Sequence, residues 1–249
     1  MDNLTILLSL LVGYLIGSIS VSRIVTRVFS PSVDLTKIQM HDQGTGEDYH
    51  LTNVGATTAS MVLGPRIGIL IGILDILKAF LPTLATRMLF PGQPYYLFVG
   101  GAVVGGHIWT LYHKFRGGGG ISPALGVFLA IDPLGTLAAN LIAMFLGFFV
   151  FREYLVAMVL GNWLMVLWLW VSKGHWAFGL FALLINLMLV IAVIPDVRRY
   201  LRARASGKVD VESAMEEIPM GRMMNRMMAK MGLSKKSPNK PSSPQESDR

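Results

Sequence analysis

Residues 121–151 read ISPALGVFLAIDPLGTLAANLIAMFLGFFVF, a run whose one ionisable side chain is Asp132. A helix needs roughly 20 apolar residues to cross the hydrocarbon core. The Asp132-Pro133 pair interrupts the run, because proline cannot donate to the preceding turn. The part behind the break, 134–151, is long enough to cross. The part before it, 120–131, is too short to span alone and reads as a half-helix or re-entrant element.

Further apolar segments lie on both sides, at about 4–22, 57–86, 95–113, 155–171 and 177–194. The predicted fold class is therefore an all-α polytopic membrane protein, a seven-helix bundle with one short half-helix or re-entrant segment. Segment 57–86 exceeds one crossing and contains Pro65 and Arg66, so it is expected to begin with an interfacial turn. The first segment is too long, and too polar at its start, for a cleaved signal peptide and is read as retained. Composition agrees: 53% of residues are hydrophobic and 15% charged, the mean hydropathy is +0.53, and soluble domains carry about 25% charged residues. The chain has no cysteine, which excludes disulfides and thiolate metal sites.

Charge placement sets orientation and argues against a nucleic-acid partner. Of 22 Lys and Arg residues, 12 lie in 195–249. With the C-terminus inside, the inner segments hold these 12 plus Arg23, Arg27, Lys37, Lys114, Arg116 and Arg152, and the outer segments only Arg87 and Lys173. Cytoplasmic loops are enriched in cations, so the N-terminus is expected outside and the C-terminus inside. Gly17-Ser18, Asn53–Thr57, His107 and Gly117–Gly120 then gather on the cytoplasmic face of a cell membrane.

These polar groups suggest chemistry without specifying it singly. Gly117, Gly118, Gly119 and Gly120 could offer bare backbone N–H groups to phosphate oxygens at a helix start, with Lys114 and Arg116 adding charge; a glycine run equally fits a flexible turn. His107 is either a satisfied packing residue or a general base or phosphate contact. Asp75 and Lys78 share one helical face at membrane depth, and a structural intramembrane pair is favoured over a catalytic one. The stretch TNVGATTAS, 52–60, supplies Asn53, Gly55, Thr57 and Thr58 either as donors or as a helix cap with small-residue packing; GSIS, 17–20, with Ser18, is similarly open. No G-x-x-x-x-G-K-[ST] and no H-E-x-x-H occurs, which disfavours a P-loop ATPase and a zinc peptidase of that pattern. No histidine is followed five residues later by aspartate. No metal and no cofactor is expected.

Three stretches follow in sequence: a membrane domain over 1–200, a segment 201–233, and a tail 234–249 that is disordered by composition. Within 209–233 lie seven of the 15 methionines. Their helical spacing, with Arg222, Arg226 and Lys230 every four residues, suits a basic amphipathic helix for an anionic leaflet or a partner's groove, or a weakly ordered tail.

Taken in order, the motifs resemble those of the bacterial acyl-phosphate-dependent glycerol-3-phosphate acyltransferases, the PlsY type. The resemblance runs through GSIS (17–20), Asp34, LTNVGATTASMVLG (51–64), LDILKA (74–79), GHIWTLYHKFRGGGGISPALGV (106–127), FREYLVAM (151–158) and RRYLRARASGK (198–208). It covers about residues 4–208, with an insertion near 37–50. It implies acyl transfer from acyl-phosphate to the 1-hydroxyl of glycerol 3-phosphate or a related polar acceptor, as the first step of phospholipid synthesis. It also implies catalytic roles for His107, Ser18 and Asn53. The family pattern has lysine where Gly119 stands, arginine at Met61, a second asparagine at Thr58, and serines at Leu155 and Met158. These departures leave an alternative: a catalytically impaired member that binds lipid or serves as a scaffold. A small-solute transporter ranks behind both, since no internal repeat is visible.

Overall fold

The structure is a computed structural model that describes residues 2–41, 48–50, 53–151 and 154–205. Nine α-helices carry the fold among these residues: α1 Asn3–Ser18, α2 Val21–Phe29, α3 Ala56–Leu63, α4 Pro65–Leu89, α5 Tyr95–Ile108, α6 Ile121–Ile131, α7 Pro133–Phe145, α8 Tyr154–Lys173 and α9 Trp176–Ala205. A small antiparallel hairpin pairs β1, Gln39–His41, with β2, Asp48–His50, within the predicted insertion.

Among the described residues, five stretches are long and apolar enough to cross a membrane: Asn3–Phe29, Pro65–Leu89, Pro133–Phe151, Val156–Lys173 and Trp176–Arg198. At 14 and 11 residues, α5 and α6 fall short of the roughly 20 a lone crossing requires. Large side chains such as Leu4, Leu134, Leu167 and Val171 point outward. Lipid tails are as apolar as leucine, so such a surface costs nothing in hydrocarbon.

The breaks fall where local chemistry puts them. Asp132 caps α7, its carboxylate accepting from the Gly135 N–H at 2.9 Å and ion-pairing with Lys173 at 3.0 Å. The expected segment 57–86 is two helices, parted at Gly64 with φ 86° and restarted by Pro65 at the first helical position, where a missing N–H does no harm. The first segment breaks at Ile19-Ser20. The expected segment 95–113 overshoots: α5 stops at Ile108, and a 3-10 turn over Leu111–His113 follows.

Packing then fixes the register. A Cβ on Gly17 would run into the Val103 carbonyl, and one on Gly106 into the Tyr14 carbonyl. These glycines let α1 and α5 lie backbone to backbone, the small-residue mode of membrane helices. The main core gathers Val103, Val127, Phe128, Met165, Leu169 and Ile185 from α5, α6, α8 and α9. A second cluster, Val25, Leu35, Val54, Ala59 and Ile71, seats α2 and the approach to α3 against α4. Arg152 lies outside the described residues. So do the serine-rich tail and all of the Met-rich segment beyond Ala205.

Candidate functional site

The end of α5 is the anchor. His107 occupies its last turn, and the glycine loop folds back onto it. The Gly117 N–H donates to the Ile108 carbonyl at 3.1 Å and the Gly118 N–H to the His107 carbonyl at 3.1 Å. The reversal runs through Lys114 and Phe115, both left-handed at φ 54° and 59°, a conformation uncommon for non-glycine residues. The Phe115 N–H donating to Thr110 O at 2.9 Å helps hold it. From the other side, the Val54 N–H donates to the Gly117 carbonyl at 2.8 Å.

The four glycines are not equivalent. The His107 ring lies against Gly118 so closely that a Cβ there would overlap Nε2. A Cβ on Gly119 would meet nothing within 4 Å. Gly120, at φ 84°, precedes α6, whose first turn receives no side-chain cap. The loop thus presents a buried imidazole nitrogen, an open position and an uncapped helix start in three consecutive residues. Uncapped N–H groups and the helix dipole favour anions.

The other face of His107 joins a buried cluster. Lys78 Nζ lies 2.9 Å from Asp75 Oδ1 and 3.0 Å from His107 Nδ1, while Nδ1 is 3.4 Å from the same Asp75 oxygen. Lys78 also donates to the carbonyls of Gly17 at 3.2 Å and Ile19 at 2.9 Å, where α1 ends. The expected Asp75–Lys78 pair is therefore formed. The sequence reading did not foresee that it orients His107 and ties down the end of α1. An intramembrane histidine in need of a partner was the available signal. The contacts at Nδ1 leave two tautomers. Lys78 donating to Nδ1 places the proton on Nε2, and Nδ1–H donating to Asp75 leaves the Nε2 lone pair toward the loop.

The remaining candidates divide by location. Ser18 is fully buried; its Oγ accepts the Leu111 N–H at 3.2 Å and its carbonyl accepts Thr110 Oγ at 2.5 Å. It pins the chain leaving α5, and Thr110, its partner, went unnoticed in the sequence. Asn53 donates its side-chain amide to Asp196 at 2.7 Å and to the Ala192 carbonyl at 3.4 Å, linking the entry of α3 to α9. Thr58 Oγ donates to the Asn53 carbonyl at 2.5 Å, whereas Thr57 is exposed. A Cβ on Gly55 would come within 3.6 Å of Gly118 Cα, so this segment borders the loop. Lys114 and Arg116 are exposed. Arg23 is half-buried and donates to the Arg116 carbonyl at 2.9 Å. Nearby, the His113 imidazole titrates below the usual histidine range because it is partly buried and because the Arg23 charge disfavours its protonation. Among the described residues no three His, Asp or Glu side chains gather as a metal set.

Two apolar cavities lie along α5 toward its far end. The larger, about 880 Å³, lies between α5 and α9 near Pro91–Tyr96 and His175. The smaller, about 470 Å³, is lined by Leu7, Leu11 and Tyr14 of α1 and extends to Gly105. Both include Leu10, Gly101, Ala102 and Met188. Neither lining includes His107, and Gly105, two positions away, lies on the opposite face of α5 against Met188.

Fold and site together define an integral membrane protein whose chain-distant polar groups converge on one glycine loop at an end of the helical bundle. Residues 7–203 match the family model described as glycerol-3-phosphate acyltransferase. The chain belongs to that family. Similar proteins called glycerol-3-phosphate acyltransferase occur in Geobacter sulfurreducens, 34% identical over 58% of this chain and 66% of the relative, and in Aquifex aeolicus, 35% identical over 57% and 67%. The counterpart in Geotalea daltonii is 36% identical over 55% and 64%, so the aligned stretch spans about two thirds of each relative. The fold is also similar to two crystal structures of the integral membrane glycerol 3-phosphate acyltransferase PlsY. The glycerol 3-phosphate form gives a TM-score of 0.65 at 29% identity and the lysophosphatidic acid form 0.64 at 27%; each match covers 80% of this chain and 93% of the other.

Proposed function

We propose that the protein transfers an acyl group from acyl-phosphate to the 1-hydroxyl of glycerol 3-phosphate. The reaction takes place at the cytoplasmic face of a seven-crossing bundle with its N-terminus outside, an orientation supported by the Lys and Arg distribution. The observation that carries the reading is the convergence of His107 Nε2, the open backbone at Gly119 and the uncapped start of α6 on one loop.

In this reading the glycerol hydroxyl attacks the acyl carbonyl carbon, an ester bond forms, and the acyl–phosphate C–O bond breaks. The products are lysophosphatidic acid and inorganic phosphate. The hydroxyl proton goes to His107 Nε2 in the tautomer that Asp75 orients, or to a substrate phosphate oxygen. The donor is already activated, so the protein's task is to position two phosphates and exclude water. Ser18 and Asn53 act by holding the loop and the α3 entry in place.

The test is full-length protein in lipid nanodiscs with palmitoyl phosphate and glycerol 3-phosphate, followed by phosphate release and mass spectrometry of the lipid. Ester product with stoichiometric phosphate is expected; no turnover with this acceptor or a panel of polyol phosphates would refute the reading. A second reading, a catalytically impaired lipid-binding or scaffold protein, is favoured by uncharged Gly119 and Met61. Activity that emerges only in Gly119→Lys/Met61→Arg would establish it.

A further inference from the structure

We propose that Arg23, at the start of α2, is the phosphate-gripping cation of this site, reaching across to the glycine loop where residue 119 offers no charge. The inference rests on the functional reading above and names the residue that meets the phosphate monoester.

The position is set from both ends. Arg23 Nη1 lies 3.4 Å from Ser20 Oγ, just after α1 ends, and Nη2 donates to the Arg116 carbonyl at 2.9 Å, one residue before Gly117. Arg116 is two residues from Gly118, which an extended chain covers in about 7 Å. The guanidinium and the His107 ring are thus tied to neighbouring parts of one loop. Two hydrogen bonds of about 2.9 Å with a phosphate between them cover most of that gap. A guanidinium has five donors in a planar fork matched to phosphate, and the contacts to Arg116 and Ser20 leave others for a ligand. The nearby acid Asp34 accepts from the N–H and hydroxyl of Thr36 and faces Lys37 at 3.9 Å. Its charge also acts on Arg23, but its hydrogen bonds go to Thr36, not to the guanidinium. Lys114 and Arg116 are exposed side chains on the outer turn. Of Arg23, Lys114 and Arg116, Arg23 alone is half-buried and braced against the loop; the buried Lys78 is committed to Asp75, His107 and the end of α1.

The cross-check is Gly119. A Cβ there meets nothing within 4 Å, so a lysine introduced there starts without a clash and is expected to reach the same phosphate. The experiment uses full-length protein in nanodiscs and reads the Kd for glycerol 3-phosphate and for palmitoyl phosphate by calorimetry, with KM and kcat for each. Arg23→Gln should weaken one substrate about 10- to 100-fold, the effect of losing hydrogen bonds to a charged group. The substrate whose Kd and KM move identifies the phosphate held. Arg23→Lys should retain part of the affinity, and Gly119→Lys in the Arg23→Gln background should restore it to within about threefold. Arg23→Gln leaving both Kd values within twofold of wild type would overturn the inference alone. Loss of binding with a lowered Tm and no restoration by Gly119→Lys would mark Arg23 as a strap and also overturn it. A wild-type protein that binds neither substrate would overturn the functional reading itself.

Discussion

Gly118 and Gly119 are chemically identical neighbours to which the structure assigns opposite tolerance. In Gly118→Ala the new methyl overlaps His107 Nε2, and something must yield. If the ring yields, it leaves its contacts with Lys78 at 3.0 Å and Asp75 at 3.4 Å. If the loop yields, the bonds from Gly117 and Gly118 to the end of α5 stretch, each worth about 0.5–1.5 kcal/mol. Overpacking a close-packed site costs about 1–3 kcal/mol. A loss of about 2–3 kcal/mol in transition-state stabilisation corresponds to roughly a 30- to 150-fold fall in kcat/KM. In Gly119→Ala the methyl meets nothing within 4 Å, and kcat/KM should stay within about twofold. The assay is phosphate release from palmitoyl phosphate with glycerol 3-phosphate, with Tm measured in parallel. Equal effects of the two alanines, or an active Gly118→Ala with an unshifted Tm, would refute the placement of His107 against the loop.

Three further outcomes follow from the geometry. Asp75→Asn leaves the buried Lys78 ammonium without its anion and should cost about 3–5 kcal/mol, read as a fall in Tm. Asp75→Leu/Lys78→Met should recover most of that stability without recovering activity, because His107 still lacks its orienting partners. Thr110→Val keeps the shape but loses the bond to the Ser18 carbonyl at 2.5 Å; with that buried acceptor left unmet, about 1–3 kcal/mol of stability should go, and a Tm unchanged within error would contradict it. His113 titrates low because of its partial burial and the Arg23 charge, so Arg23→Gln should raise its pKa toward the ordinary value near 6.5. A histidine-labelled NMR titration that shows no upward shift would place Arg23 away from the loop.

The sequence alone located most of the apolar helices and named the family. Apolar run length marks candidate crossings, Asp132-Pro133 marks a break and Pro65 an expected turn inside 57–86, and these signals are local because helix periodicity and proline geometry are local. The ordered motifs identified the family, and His107 and Gly55 both lie against the glycine loop, whereas the Asn53 side chain turns to α9. The Asp75–Lys78 pair was legible as well, since its spacing of three sets the contact within one helix. What only the tertiary structure decided is which side chain faces which. Lys78 on His107, Asn53 on Asp196, Ser18 turned inward under the loop and Arg23 braced on Arg116 all join residues far apart in sequence. Their pairing depends on the depth and rotation at which helices pack, fixed by backbone contacts such as Gly17 on Val103. Periodicity names a helix face but not its neighbour; the family pattern, with lysine where Gly119 stands, marks that position as one that takes a side chain, but only the packing shows Gly118 pressed on an imidazole.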